Sequence, residues 1–385
     1  MGIRVQYIIV IGIIVLTELD QVLLLELLVL LLTVQVAVDV VEVAAVLAVA
    51  VVLAVAAVVL AAEVVEAAEA VVEYNLICIR SVSIFILETL RTAMQERLDF
   101  NSRSPFEIHH ILTSFDSLDL HPVHADLYFP DGEGPFGCVV AIHGSRGWQP
   151  HHEDHIRYWL SSGIAVCKVH SFSSRSIESI VEDQISVTHA MMLADAFAVK
   201  SLLDMDDRID RIGITGWSLG GTVSIYSGWS PLIDVLGTPF AAHLPFYPAA
   251  HLRPDIKKWS NAPMLILHGT ADDWTPISLV EGLLPQLPNA ILHTYSGSHH
   301  AFDSEQEKTW LPKVIRLGKR TVRIEENGHM SGIWKFGIRF PLNELSQRRL
   351  VFRILRNRGA HVEGDSEARE DALQRGLTFL LSHLN

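Results

Sequence analysis

The sequence predicts an α/β fold, a mostly parallel sheet flanked by helices. Two observations carry this. Four short runs, GCVVAIHG (137–144), GIAVCKVH (163–170), RIGITGWS (211–218) and PMLILHG (263–269), are nearly continuous in apolar residues, as strands covered on both faces must be. Longer periodic segments separate them, and this alternation of strand and helix implies parallel strands joined by crossover helices.

Taken in order, the first 93 residues stand apart. They are almost wholly Val, Ala, Leu and Ile; Arg4 is the only basic residue before Arg80, and no Pro precedes Pro105. The run Val43 to Ala62 holds 20 uncharged apolar residues, enough to cross a hydrocarbon core of about 30 Å, although Glu42, Glu63, Glu66 and Glu69 flank it without any Lys or Arg. Three readings stand side by side: upstream sequence joined by a misassigned start, so that the protein begins at Met94; a membrane anchor; and a soluble helix. From Met94 to Asn385 the composition is that of one globular domain. Any membrane contact is expected through residues 1–93 only, and otherwise a cytoplasmic protein.

Within 94–385, ILTSFDSL and VHADLYFP read as an antiparallel opening pair. Helices are expected over HEDHIRYWLSS, over Ile180 to Asp204, over LGGTVSIYSG, over Ile277 to Leu287, and over Ser366 to Leu384 as a closing amphipathic helix. Between Lys313 and Arg358 there are twelve Lys or Arg against three Glu, in a chain of net charge −14. This basic insertion before the last helix reads as a cap or lid with a solvated basic face. The overall acidity argues against a nucleic-acid partner. Cys78, Cys138 and Cys167 form no disulfide framework, and the latter two sit in apolar strands as small core residues.

The chemistry lies in three loops. GWSLG (216–220) fits GxSxG between a strand and a helix, the context that lifts a serine hydroxyl on a tight turn, and makes Ser218 the candidate nucleophile. A serine hydroxyl needs a base to take its proton and an acid to orient that base, and on this architecture they follow in the order acid, then histidine. Asp272 and Asp273 in TADDWTP follow the strand PMLILHG, and Asp272 is preferred as the acid, its neighbour being a helix-cap alternative. SHHAFD supplies His299 and His300, with His300 preferred as the base. The oxyanion donors are expected from the amides of Leu219, which opens the helix after the nucleophile, and of Ser145 in HGSRGW (143–148). His143 is expected to shape that loop. Trp217 is a candidate substrate contact. Arg146 and Arg175 are candidates for meeting a substrate carboxylate, with surface salt bridges as the competing fate. HHEDH (151–155) spaces two histidines one helical turn apart, yet has no HExxH order and no further ligand, and reads as a solvated or loop-capping cluster. No metal and no cofactor is expected.

The four motifs VVAIHGSRG, RIGITGWSLGG, PMLILHGTADDWTP and YSGSHHAFD together resemble the dienelactone hydrolase family of α/β-hydrolases, from roughly Ile108 to Asp303 and more loosely at GDSEAREDALQRGLTFL. The resemblance implies the α/β-hydrolase fold, places the acid three residues after the glycine of HG, at Asp272, and places the base before the Ala-Phe pair, at His300. The enzyme that names the family carries cysteine where this chain has Ser218. The implied activity is hydrolysis of a small-molecule carboxylic ester or lactone through an acyl-enzyme. The alternatives are a serine peptidase or acyltransferase on the same fold, and a non-catalytic, membrane-tethered scaffold.

Overall fold

A computed structural model describes residues 94–333, 339–355 and 357–385; the run Val43 to Ala62 and the rest of residues 1–93 lie outside them. In chain order the strands and helices are β1 (Met94–Arg103), α1 (Ile108–Ser114), β2 (Leu120–Phe129), β3 (Phe136–Ile142), α2 (Pro150–Ser161), β4 (Ala165–Val169), α3 (His189–Leu203) and β5 (Ile209–Trp217). There follow α4 (Leu219–Tyr226), α5 (Ser230–Leu236), β6 (His243–Phe246), β7 (Leu252–Pro254), β8 (Met264–Gly269), α6 (Ser278–Leu283) and β9 (Ala290–Tyr295). The last part holds β10 (Thr309–Arg316), β11 (Val322–Ile324), β12 (Met330–Ile333), β13 (Arg339–Pro341), α7 (Leu345–Leu355), β14 (Asn357–Val362) and α8 (Ser366–Leu384).

Eight strands form the main sheet in the order β1-β2-β4-β3-β5-β6-β8-β9. The β1-β2 and β2-β4 pairs are antiparallel, and from β4 to β9 every pair is parallel. The strand period of two splits β3 between two cores: Cys138, Val140 and Ile142 pack with α3 and α4 on one face, while Val139 and Ala141 pack with α2 and α8 on the other. That is why the four sequence runs carry no polar stripe. Cys138 and Cys167 are free and buried, and burial raises both thiols above their ordinary pKa, as inert core residues require.

The opening differs from the sequence expectation. ILTSFDSL is not a strand: it lies in α1 and the single 3-10 turn after it, and Met94–Arg103 pairs with β2 instead. Ile108, Ile111, Leu112 and Phe115 recur at helical spacing, and Ile108 and Ile111 are buried on that stripe. The segment 180–204 is helical only over α3, where the Thr188 side chain accepts from the Met191 amide and caps it. The closing helix α8 has the expected bounds.

The basic segment is a small structure of its own. β10 pairs with β14, and β13-β12-β11 form a sheet completed by β7. Among the described residues no helix is long and apolar enough to cross a membrane.

At the carboxyl end of β5 the chain passes so close to β3 that side chains are excluded. A Cβ on Gly220 would stand 2.0 Å from the Ile142 carbonyl oxygen, and one on Gly216 would stand 2.4 Å from the Gly220 backbone. Gly220→Ala is therefore expected to cost about 3 kcal/mol or more in urea unfolding; an unchanged unfolding midpoint would show that the two strand ends are not in contact.

Candidate active site

Loops from four parallel strands meet at the carboxyl edge of the sheet, where ligands bind in such folds. Ser218 follows β5 with φ 55° and ψ −106°, a strained conformation for a residue with a Cβ. Asp272 follows β8 and His300 follows β9. His300 Nε2 stands 3.0 Å from Ser218 Oγ, and His300 Nδ1 stands 2.7 Å from Asp272 Oδ2.

Asp272 is held from both sides. Its Oδ1 accepts from the amides of Trp274 and Thr275 at 2.9 and 2.8 Å, and the Thr275 hydroxyl donates to Oδ2 at 2.8 Å. Burial would push its pKa up, yet the charge and hydrogen bond of His300, followed by His268 and the Thr275 amide, hold it below the ordinary value. All three side chains are buried, so the chain of contacts runs through a medium poor in water.

Ser145, in the loop after β3, and Leu219, the first residue of α4, line a cavity of about 140 Å³ together with Ser218. The Ser145 carbonyl accepts from the Ile180 amide and from Ser179 Oγ, which fixes the loop. His143 is buried behind it against Phe172, its pKa lowered to about 4 by burial, so it shapes the loop as a neutral ring.

Residues 124–322 match the model described as the Dienelactone hydrolase family, which is more than half of the chain. The chain belongs to the dienelactone hydrolase family. No curated protein matches the sequence. Among solved structures it is similar to a protein of Klebsiella pneumoniae subsp. pneumoniae assigned as a dienelactone hydrolase, at 17% identity and TM-score 0.44 over 74% of this chain and 99% of that one. It is similar as well to Est1E from Butyrivibrio proteoclasticus, at 18% identity and TM-score 0.37 over 48% of this chain and 88% of that one. An esterase from the Planctomycetes species Thermogutta terrifontis follows, at 18% identity and TM-score 0.38 over 50% and 81%.

As a member of the dienelactone hydrolase family this protein is a hydrolase acting on ester bonds, and its remaining site residues divide into those the structure brings to the cavity and those it does not. Trp217 does not reach it. The indole is fully buried on the other face of the sheet, between His152, Trp159 and Phe246, and donates to Asp303 Oδ2 at 2.9 Å. Arg175 is spent on the fully buried Asp195, which it grips through both carboxylate oxygens at 2.7 and 2.9 Å. Arg146 is exposed and bonds Gln306 Oε1 at 3.1 Å. None of the three lines the cavity. The HHEDH cluster is not solvated either: His152 and His155 are buried in α2, and His155 Nε2 meets Asp303 Oδ2 at 3.1 Å.

Asp303 is the residue that sequence reasoning passed over. It accepts from Trp217, His155 and the Tyr247 hydroxyl, the last at 2.8 Å, and so ties the His300 loop to β5, α2 and β6. Its position three residues after His300 in HHAFD was the available signal. Burial opposes its charge, but His151, His155 and Tyr247 together lower its pKa to about 2.

Asp273 points the other way from Asp272. It takes the His361 amide at 2.9 Å and faces Arg316, while the Trp274 indole donates to the Ile315 carbonyl at 3.2 Å, so the acid loop is bolted to β10 and β14 of the basic insertion. His299 likewise turns outward to Lys308 and Glu363, leaving His300 as the ring that meets Ser218.

Because Asp303 is more acidic folded than unfolded, where its pKa is about 3.9, its stabilisation is complete above that value and is lost as the pH falls toward about 2. Asp303→Asn is expected to lower the unfolding free energy at neutral pH by about 2 kcal/mol or more. It should also flatten the acid limb between about pH 4 and pH 2. Equal acid slopes in denaturant titrations of the two proteins would contradict that assignment.

Proposed function

We propose that residues 94–385 form a serine hydrolase domain that cleaves a small carboxylic ester or lactone through an acyl-enzyme on Ser218. The observation that carries it is the buried relay Ser218–His300–Asp272, with links of 3.0 and 2.7 Å. Nε2 of His300 takes the hydroxyl proton as Ser218 Oγ bonds the substrate carbonyl carbon, and Asp272 holds the ring through Nδ1 and stabilises the imidazolium. The oxyanion that forms is received by the amides of Ser145 and Leu219, both of which border the cavity beside Ser218. His300 then returns the proton to the departing alkoxide, leaving the acyl ester on Ser218. Water repeats the cycle, giving the free acid.

The size of the cavity, about 140 Å³, favours a small acyl group over a peptide chain. The intact set of nucleophile, base and acid favours an enzyme over a scaffold.

Turnover of para-nitrophenyl butyrate tests this reading. Ser218→Ala is expected to lower kcat on the order of a millionfold, and Asp272→Asn about ten-thousandfold with the ring left in the wrong tautomer. Full turnover by folded Ser218→Ala would end the proposal.

A further inference from the structure

Three polar atoms surround the hydroxyl of Thr275. Its oxygen lies 2.8 Å from Asp272 Oδ2, 3.1 Å from His300 Nδ1 and 3.1 Å from the Tyr247 carbonyl oxygen. The residue is buried, and its backbone is pinned on both sides. Its amide donates to Asp272 Oδ1 at 2.8 Å, and its carbonyl accepts from His268 Nε2 at 2.8 Å. The hydroxyl is thus set in place by bonds that do not depend on it. Tyr247 keeps φ 35°, a strained conformation for a residue with a Cβ, where its carbonyl reaches Thr275 and its ring packs on His300 with centroids 4.7 Å apart.

The chemistry of the partners assigns the hydrogens around that oxygen. Nε2 of His300 must be bare to accept from Ser218, so Nδ1 carries the ring hydrogen. That N–H has two oxygens in reach, Asp272 Oδ2 at 2.7 Å and Thr275 Oγ1 at 3.1 Å. The hydroxyl owns a single hydrogen, which goes to Asp272 Oδ2, the shorter contact and the charged acceptor, ahead of the Tyr247 carbonyl. Thr275 therefore gives a hydrogen to the acid and faces the N–H of the base.

We infer that Thr275 is a positioning residue of the reaction, its hydroxyl fixing Asp272 Oδ2 and His300 Nδ1 against each other so that Nε2 stays aimed at Ser218. The backbone amides of Trp274 and Thr275 cannot do this, because they hold Oδ1, the oxygen that does not meet the ring. Without the hydroxyl, His300 is the one hydrogen-bond donor left to Oδ2 among the described residues. This inference rests on the serine hydrolase reading above.

Turnover of para-nitrophenyl butyrate by the full chain tests it. Thr275→Val removes the hydroxyl at nearly constant volume and is expected to lower kcat about tenfold or more. KM should stay within about twofold, because the hydroxyl bonds the relay and not the substrate. Thr275→Ser keeps the hydroxyl and is expected to retain most of kcat. The deciding readout is a double-mutant cycle. On the Asp272→Asn background Thr275→Val is expected to lower kcat by no more than about twofold, since the hydroxyl acts through the carboxylate. A loss that carries over undiminished would mean that Thr275 only supports its loop, and would overturn the inference, as would wild-type kcat in Thr275→Val. Circular dichroism checks each variant for folding, and Thr275→Ala takes the place of Thr275→Val in the same cycle if the latter does not fold. Full turnover by folded Ser218→Ala would end the hydrolase reading itself, whereas an inactive Ser218→Ala with no coupling between Thr275 and Asp272 would end this inference alone.

Discussion

The site depends on a backbone contact, the passage of the turn after β5 across the end of β3. Gly216 and Gly220 have no room for a side chain there, because the carbonyl of Ile142 and the turn's own backbone occupy the space. The compact turn lets Ser218 sit at positive φ with its hydroxyl toward His300. It also brings the loop after β3 close: a Cβ on Gly144 would lie 3.5 Å from Ser218 Cβ. The position of Ser218 and the nearness of the loop after β3 therefore follow from one steric constraint.

Around that turn, buried carboxylates do the holding. Asp272 orients His300, Asp303 ties the His300 loop to the sheet through Trp217 and Tyr247, and Asp195 secures the segment after β4 through Arg175. Each would be costly alone in a dry interior, and each is surrounded by donors. The basic insertion joins the same scaffold from outside: Asp273 and Trp274 fasten it to the acid loop, and the Glu363 amide bonds the His300 carbonyl just beyond β14. Its residues Leu317, Arg320 and Val322 line the same cavity as Ser218. The segment that reads as a solvated basic face in the sequence thus turns part of itself into the wall of a chamber.

How much of this was legible follows from what each element buries. β3, β4, β8 and the buried part of β5 are covered on both faces, so their sequences are nearly continuous in apolar residues and stand out. β1 is an edge strand of charged and polar residues, Gln95, Arg97 and Asp99 facing solvent, with little in its composition to mark it. β6 is only four residues long and contains Pro245. That Ser218, Asp272 and His300 meet was readable because each follows an apolar strand run whose end lies at one edge of a parallel sheet. Trp217 was misread because adjacency in sequence at the end of a strand sends alternate side chains to opposite faces. Arg175 was misread as a substrate contact, and HHEDH as solvated, because their partners, Asp195 and Asp303, lie on other elements and a linear text does not pair them; the capping half of the HHEDH reading holds, since His152 Nδ1 accepts from the Gln149 amide at 3.1 Å.

The central claim is that Ser218 alone is raised and activated by this arrangement. Treating folded protein with a fluorophosphonate and mapping the adduct by peptide mass spectrometry tests it directly. The account predicts stoichiometric modification of the peptide bearing Ser218. Modification of another residue, or none while the same sample hydrolyses esters, would contradict it.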